Sequence, residues 1–307
     1  MISPKIVFMG SPDFAIPTLK ALIENFTVRG VVTQPDRLAG RGRKLTPLPV
    51  KVLAQEFGIP VIQPQRLHKD PEAMNQLRSW EPDVIVVAAF GQILKLEVLD
   101  LPPYGCLNVH ASLLPRWRGA APVNAAILHG DTETGITIMK LDPGMDTGPM
   151  IRKRYIPILP EDTAGSLFEK LAVLGAELLV ETLTAYLRGE LTPQPQDDSR
   201  ATYAPMLNKS DGELDFNQPA ADLARKVRAF NPWPGTFFEW SEVPLKVHAA
   251  HSEGLDSPGV GVLITSGNLP AVGTSDGLLI LDEVQPAGKK SMPGEVFLRG
   301  AKDWISI

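Results

Sequence analysis

Two rhythms of apolar and polar residues alternate along the chain up to Gly189. Short apolar runs at Lys5 to Met9, Thr27 to Thr33, Asp83 to Ala88, Leu107 to His110 and Gly135 to Lys140 read as strands, with Val61 and Ile62 in a further short one. Asp83 to Ala88 is β-branched and apolar on both faces, the mark of a central strand in a parallel sheet. The first helix is expected from about Phe14 to Glu24. It is entered through Gly10-Ser11-Pro12, with Ser11 as N-cap and Pro12 at the first helical position, where a missing N–H costs nothing. Leu167, Leu171, Leu174 and Leu178 recur at steps of four, three and four, which predicts one buried stripe on a long helix starting near Thr163. Arg188 and Gly189 supply its stop: a basic last turn and a residue suited to a left-handed cap. Strands and helices alternating in this way give an α/β fold, a Rossmann-like, mostly parallel sheet with helices on both faces.

The rhythm then fails. From Glu190 to Pro205 the chain carries Pro193, Pro195, Asp197, Asp198 and Ser199 without apolar periodicity, the composition of an interdomain linker. Beyond it comes one helical segment, about Ala220 to Phe230, and then short strand-like runs divided by turn signals such as Ser275-Asp276-Gly277. A small OB-like β-barrel is expected there. The domain reading is therefore 1–189 for a catalytic, Rossmann-like domain, 190–205 for a linker and 206–307 for a C-terminal barrel.

Composition narrows the class. With 44% hydrophobic and 21% charged residues, the chain can bury a sizeable core. Its longest clean apolar run, Val84 to Phe90, is far below the roughly 18 residues that span a bilayer, and Gly10 and Ser11 interrupt the first apolar run too early for a secretory signal. A protein without membrane contact is expected, and the single Cys106 fits a reducing, cytoplasmic compartment. One cysteine, together with His68, His129, His248 and His251 at spacings that do not converge, predicts no metal. The net charge of −5 argues against a chain that coats nucleic acid along its whole length.

Chemistry is expected at the carboxyl ends of the strands, where parallel sheets bind ligands. Asn108 and His110 fall at one such end. Alternate strand residues share a face, so both side chains converge while Val109 points away. After the strand at Gly135 to Lys140, the glycine-punctuated loop Leu141-Asp142-Pro143-Gly144-Met145-Asp146-Thr147-Gly148 would carry Asp146 to the same crevice. An amide, an imidazole and a carboxylate suit acyl transfer. Asn108 could donate to an oxyanion, where one such donor is worth on the order of 10²–10³ in rate. His110 could relay a proton, with Asp146 holding its ring.

These residues resemble the folate-dependent formyltransferases. Asn108-Val109-His110-Ala111-Ser112-Leu113-Leu114-Pro115, followed by Asp146 in a Gly-Met-Asp-Thr-Gly loop, is similar to that family's signature. The resemblance implies that Asn108, His110 and Asp146 are the catalytic trio. It also implies 10-formyltetrahydrofolate as formyl donor, bound beside Phe90, Gly91, Gln92 and Ile93 and beside Ser112, Leu113, Leu114 and Pro115. Within the family, the chain is similar to members whose acceptor is methionine esterified to initiator tRNA. Two features support that partner. Gln34 to Lys44 resembles a basic tRNA-contacting insertion, and over Gln34 to Pro49 Arg37, Arg41, Arg43 and Lys44 stand against Asp36 alone, a local charge of +3. The stretches Phe230 to Gly235 and Gln285 to Lys290 are similar to the family's C-terminal barrel. That domain sums to −4, so only local clusters could meet a phosphate backbone: Arg225, Lys226 and Arg228 on the helix, and Lys289 with Lys290 in a turn. A monomer is expected.

Three other readings stand beside this one, of which a non-catalytic folate- or RNA-binding descendant of the enzyme would have lost the trio, and Asn108, His110 and Asp146 are all present. A related folate enzyme acting on a small amine, a sugar nucleotide or water would use the same trio, and the basic insertion at Arg41 speaks against it. A nicotinamide dehydrogenase would need the second and third glycines of a G-x-G-x-x-G turn, which Gly10-Ser11-Pro12-Asp13-Phe14 lacks.

Overall fold

The computed structural model describes residues 4–39 and 44–304. The chain forms two compact units. One takes the chain up to Gly119 with Thr134–Ile156 and Phe168–Tyr203; the other takes Ala120–Glu133, Pro157–Leu167 and Ala204 onward.

In the first unit, β1 (Lys5–Gly10), β2 (Thr27–Val32), a small hairpin of β3 (Arg37–Ala39) and β4 (Lys44–Thr46), β5 (Val61–Ile62), β6 (Val84–Ala88), β7 (Cys106–His110), β8 (Glu133–Lys140) and β9 (Met150–Pro157) are threaded by α1 (Ala15–Asn25), α2 (Pro49–Glu56), α3 (Pro71–Ser79) and α4 (Leu96–Leu99). Seven of these strands make one sheet in the order β9-β8-β7-β6-β1-β2-β5. Strands β5, β2, β1, β6 and β7 are parallel, and β8 runs antiparallel to β7. The mostly parallel Rossmann-like sheet expected from the apolar runs is therefore present. All five residues of β6 are buried, as both-face apolarity requires. Strand order reverses beside β1, so the crevice rule points to the ends of β1 and β6. Gly10 ends β1 because a Cβ there would lie 2.7 Å from the Ala88 carbonyl and 2.9 Å from the Ala15 Cβ.

Ser11 does not cap α1. Its hydroxyl accepts from Thr33 Oγ1 at 3.2 Å and from the Gln34 N–H at 3.1 Å, because the chain leaving β2 brings unpaired donors to it. The long helix, α6 (Ala164–Leu187), runs where the leucine stripe places it, with Leu167, Leu171 and Leu178 buried. Cys106 is buried, its Sγ donating to the Val98 carbonyl at 3.6 Å. Burial pushes its thiol up to about 12, which leaves it protonated and inert.

The second unit departs from the domain boundaries read along the chain. It includes α5 (Pro122–Leu128) and the first turn of α6, both placed by sequence in the catalytic domain. The reason is hydrogen bonding over long sequence separations to α7 (Ala220–Ala229) and the turn after it. Asn124 Nδ2 donates to Ala229 O at 2.7 Å, Arg228 Nη1 to Asp162 O at 2.8 Å and Gly165 N–H to Asn231 O at 3.0 Å. The expected small β domain is an antiparallel, barrel-like sheet built from β10 (Thr236–Trp240), β11 (Val243–Glu253), β12 (Leu263–Ser266), β13 (Leu269–Gly273) and β14 (Leu278–Gln285). Their order is β10-β11-β14-β13-β12, and β15 (Met292–Pro293) also pairs with β14. Register shifts near Ala249 bend the long β11, as bulges do in curved sheets. The core joins Leu223 and Val227 of α7, Leu245, Val272 and Leu279 of the sheet, Phe297 of α8 (Gly294–Gly300), and Trp304.

Among the described residues no helix is long and apolar enough to cross a membrane, and no group of His, Cys, Asp and Glu could hold a metal ion.

Trp304 is 1% exposed, packs edge-on against Phe297 and Phe238, and donates its Nε1–H to Ile264 O at 2.7 Å. Trp304→Ala removes all of this, at a cost on the order of 3–5 kcal/mol. A clear drop in the melting temperature of the second unit is expected by calorimetry; an unchanged melting profile would contradict this account of the core.

Candidate active site

Asn108 and His110 occupy the last three positions of β7 with Val109 between them. Leaving β7, the chain does not continue as a loose loop. Ser112 Oγ donates to Arg116 O at 2.6 Å, and buried Thr137 on β8 clamps the turn by donating to Ser112 O at 2.7 Å and accepting from the Leu114 N–H at 3.1 Å. Lys153 Nζ from β9 holds the Leu114 carbonyl, and burial pushes the pKa of this lysine below its ordinary value. The turn ends at Trp117, a bulky residue with φ of 61°, whose N–H donates to Thr202 Oγ1 at 2.9 Å. A side chain of that size is rarely left-handed, so this is stored strain on the order of 1–3 kcal/mol beside the polar cluster.

The strained residue fixes the histidine. His110 is 5% exposed, and its Nε2 lies 3.0 Å from the Trp117 carbonyl. A carbonyl only accepts, so Nε2 carries a proton in the neutral ring, and Nδ1 is the nitrogen left to face outward. Nδ1 lies 3.6 Å from Asp146 Oδ1, and Asn108 Nδ2 lies 3.5 Å from the same oxygen. The other carboxylate oxygen, Oδ2, accepts from the Gly119 N–H at 2.9 Å. One carboxylate oxygen is thus anchored and the second faces an imidazole and an amide, at separations long enough for each to pair with a reacting group.

The loop that delivers Asp146 is braced on itself. Asp142 Oδ1 accepts from the Gly144 N–H at 3.0 Å and from Thr147 Oγ1 at 2.7 Å. Gly148 lies so close to β8 that a Cβ there would meet the Lys140 carbonyl at 1.9 Å. Asp146 itself has φ of 54°, a conformation that Asp tolerates better than most residues.

The segments expected beside a folate have mixed surfaces. Phe90 (2%), Ser112 (0%) and Leu114 (0%) are buried in the protein, so only their backbone can serve a ligand. Gly91 and Ile93 are exposed, and Gln92, Leu113 and Pro115 are half-buried. Gln92 is tied down by accepting from the Leu67 N–H at 2.9 Å and donating to Pro64 O at 3.0 Å, and Phe90 O accepts from Gln34 Nε2 at 3.1 Å. Exposed Ile93 and Met145 offer apolar surface.

Of the basic residues, Arg41 and Arg43 lie outside the described residues; Arg37 is exposed on β3, and Lys44 begins β4. Asp36, the one acid of that stretch, is taken up by Lys51 at 2.6 Å and by Gln63 at 2.7 Å, and these hydrogen bonds hold its carboxyl below the usual range. The helix cations of the second unit are engaged within it: Arg225 with Asp222, Lys226 with Glu213 O, Arg228 with Asp162 O. Lys289 and Lys290 are exposed.

Sequence reasoning passed over Arg118 and Gln196. Arg118 is 2% exposed, and Gln196 lay in a stretch read as linker, yet Gln196 Nε2 donates to the Asp146 carbonyl at 2.7 Å. The only signal was a pair of arginines, Arg116 and Arg118, in a turn rich in apolar residues.

Comparison with known proteins places these features among relatives. The formyl transferase family matches residues 4–183, and its C-terminal domain matches residues 206–302. The chain is 48% identical over 303 residues to the methionyl-tRNA formyltransferase of Myxococcus xanthus, covering 98% of this chain and 96% of that one. Among solved structures, it resembles WlaRD, a sugar 3N-formyl transferase solved with dTDP and 5-N-formyl-THF, with a TM-score of 0.68 at 19% identity over 94% of this chain and all of that one. It also resembles methionyl-tRNA formyltransferase from Clostridium thermocellum, with a TM-score of 0.56 at 17% identity over 82% of this chain and 95% of that one.

The Trp117 contact makes a direct prediction. Nitrogen chemical shifts of labelled histidine are expected to show neutral His110 protonated at Nε2. A neutral ring with its proton on Nδ1 would overturn the assignment.

Proposed function

Because the chain belongs to the formyl transferase family, we propose that it transfers the formyl group of 10-formyltetrahydrofolate to the amino group of methionine esterified to initiator tRNA, with Asn108, His110 and Asp146 as catalytic residues. The observation that carries the mechanism is the meeting of imidazole and amide at Asp146 Oδ1, within 3.6 Å. The acceptor is supported by 48% identity, over nearly the full length of both chains, to a relative of that name. The placing of the donor is supported by composition: a flat, polar ring system needs backbone partners between apolar surfaces, and residues 90–93 and 112–115 hold both, Ile93 being exposed.

The unprotonated amine attacks the formyl carbon. As the carbon–nitrogen bond forms, the formyl oxygen gains charge, and the Asn108 amide donates to it. The proton released by the attacking nitrogen passes to the Nδ1–Oδ1 pair, since Nε2 is committed to Trp117. It leaves on the folate nitrogen as the old carbon–nitrogen bond breaks, so no covalent intermediate on the protein and no metal is required. Gly119 keeps Asp146 from rotating away, so the pair stays assembled through both proton movements. The protein is read as a monomer, and a reaction that serves protein synthesis belongs in the cytoplasm. The basic stretch that holds Arg37, Arg41, Arg43 and Lys44 carries the first contacts to tRNA phosphates. Exposed Lys289 and Lys290 serve in the second unit, with Arg225 secondary to them because Asp222 already engages it.

The primary test is formation of N-formylmethionine on charged initiator tRNA from 10-formyltetrahydrofolate. His110→Ala and Asp146→Asn are each expected to lower kcat on the order of 10²–10⁴-fold while folate affinity stays within a few-fold. Near-normal turnover in either variant would refute the assigned roles.

Arg41→Ala is expected to raise the KM for charged tRNA and flatten its salt dependence by about one unit of log–log slope, leaving folate affinity unchanged. A loss of folate affinity with normal tRNA use would move the loop to the other substrate.

A further inference from the structure

The position of Asp146 is set from a distant stretch of chain. Gln196 reaches the loop with one amide group: its Nε2 donates to Asp146 O at 2.7 Å and to Gly148 O at 2.8 Å. Its own orientation is fixed, because Oε1 accepts from Arg118 Nε at 3.0 Å and from Arg118 Nη2 at 2.9 Å. Turning the amide over would set NH₂ against guanidinium donors and a carbonyl against two carbonyls. Arg118 is buried and cannot drift, since Nη2 also pairs with Asp198 Oδ1 at 2.6 Å and its N–H donates to Thr202 O at 2.9 Å. Two residues earlier, Gln194 exchanges backbone hydrogen bonds of 2.8 and 2.7 Å with Met150, just beyond the loop. The stretch read from sequence as a linker is therefore stitched to the carbonyl of the aspartate and to the residues that follow it.

We propose that Gln196 is a positioning residue of the formyl transfer. It holds the left-handed backbone of Asp146 at the height that turns Oδ1 toward His110 and Asn108, and Arg118 anchors the amide that does so. The segment leading into the second unit thereby belongs to the catalytic apparatus. This inference rests on the reading of Asp146 as catalytic.

Gln196→Glu separates holding the arginine from holding the loop. The carboxylate keeps and strengthens the pair with Arg118, but it puts an oxygen where Nε2 was, facing the carbonyls of Asp146 and Gly148. Gln196→Ala removes both contacts and leaves Arg118 to Asp198. In the full chain both variants are expected to melt within a few degrees of wild type. Their kcat should fall on the order of 10–100-fold, the scale of a small misplacement of a catalytic group, with KM for folate and for charged tRNA changed by less than about threefold. A residue that acts only through Asp146 adds nothing once that carboxylate is gone, so Gln196→Glu on top of Asp146→Asn is expected to be no slower than Asp146→Asn alone. Unchanged kcat in both single variants, a loss confined to KM, a loss explained by unfolding, or fully additive losses in the double variant would each overturn the proposal. If Asp146→Asn is itself active, the catalytic reading fails; if it is inactive while both Gln196 variants turn over normally, only the positioning role fails.

Discussion

The carbonyl of Trp117 is the fixed point of the site. It takes the Nε2–H of His110, a contact that depends on a tryptophan held in a backbone conformation that its bulk disfavours. The strain is offset by the neighbours that pin it: Thr202 on the Trp117 N–H, Thr137 through Ser112 and Leu114, and Lys153 on the Leu114 carbonyl. If that carbonyl turned away, the imidazole would be free to choose its tautomer and its angle. The turn from Ser112 to Trp117 thus sets the geometry of the trio proposed as catalytic. A backbone this rigid can present its groups to a ligand without reordering, in line with the folate contacts proposed for residues 112–115.

Around that point the sheet supplies placement. β7 delivers two polar side chains on one face, β8 runs back beside it, and the loop after β8 returns a carboxylate to the end of β7. Close approach is allowed where side chains are missing, as at Gly10 under α1 and at Gly148 against the Lys140 carbonyl. Gly119, with φ of 109°, gives the N–H that anchors the carboxylate.

Much of this was legible in the residues because it depends on short-range pattern. Strand pleat alone puts Asn108 and His110 together, and the Leu167 to Leu178 stripe marks α6 to within a residue or so at each end. Other features were written as plainly and overlooked: Asp70 followed by Pro71 is a cap-and-start signal, and Asp70 Oδ1 does accept from the Ala73 N–H at 3.0 Å at the head of α3. What no local pattern could carry was long-range pairing. Gln196 meets Asp146 from 50 positions away and Arg118 meets Gln196 from 78, so a glutamine in a proline-rich stretch and an arginine in an apolar turn gave no sign of each other. Ser11 illustrates the converse. Its local context fits a helix cap, and donors arriving from β2 claim the hydroxyl instead.

The interleaving of the two units along the chain has a consequence for how the molecule is made. α5 leaves the ribosome well before α7, the helix whose last residue accepts from Asn124, and the catalytic unit is itself incomplete until Gln196 and Thr202 have emerged. Neither unit can mature in order of synthesis while the other waits. The nascent polypeptide must carry an apolar helix, Pro122 to Leu128, without its final packing partner through the elongation of roughly a third of the protein, a window in which shielding of that segment bears directly on yield.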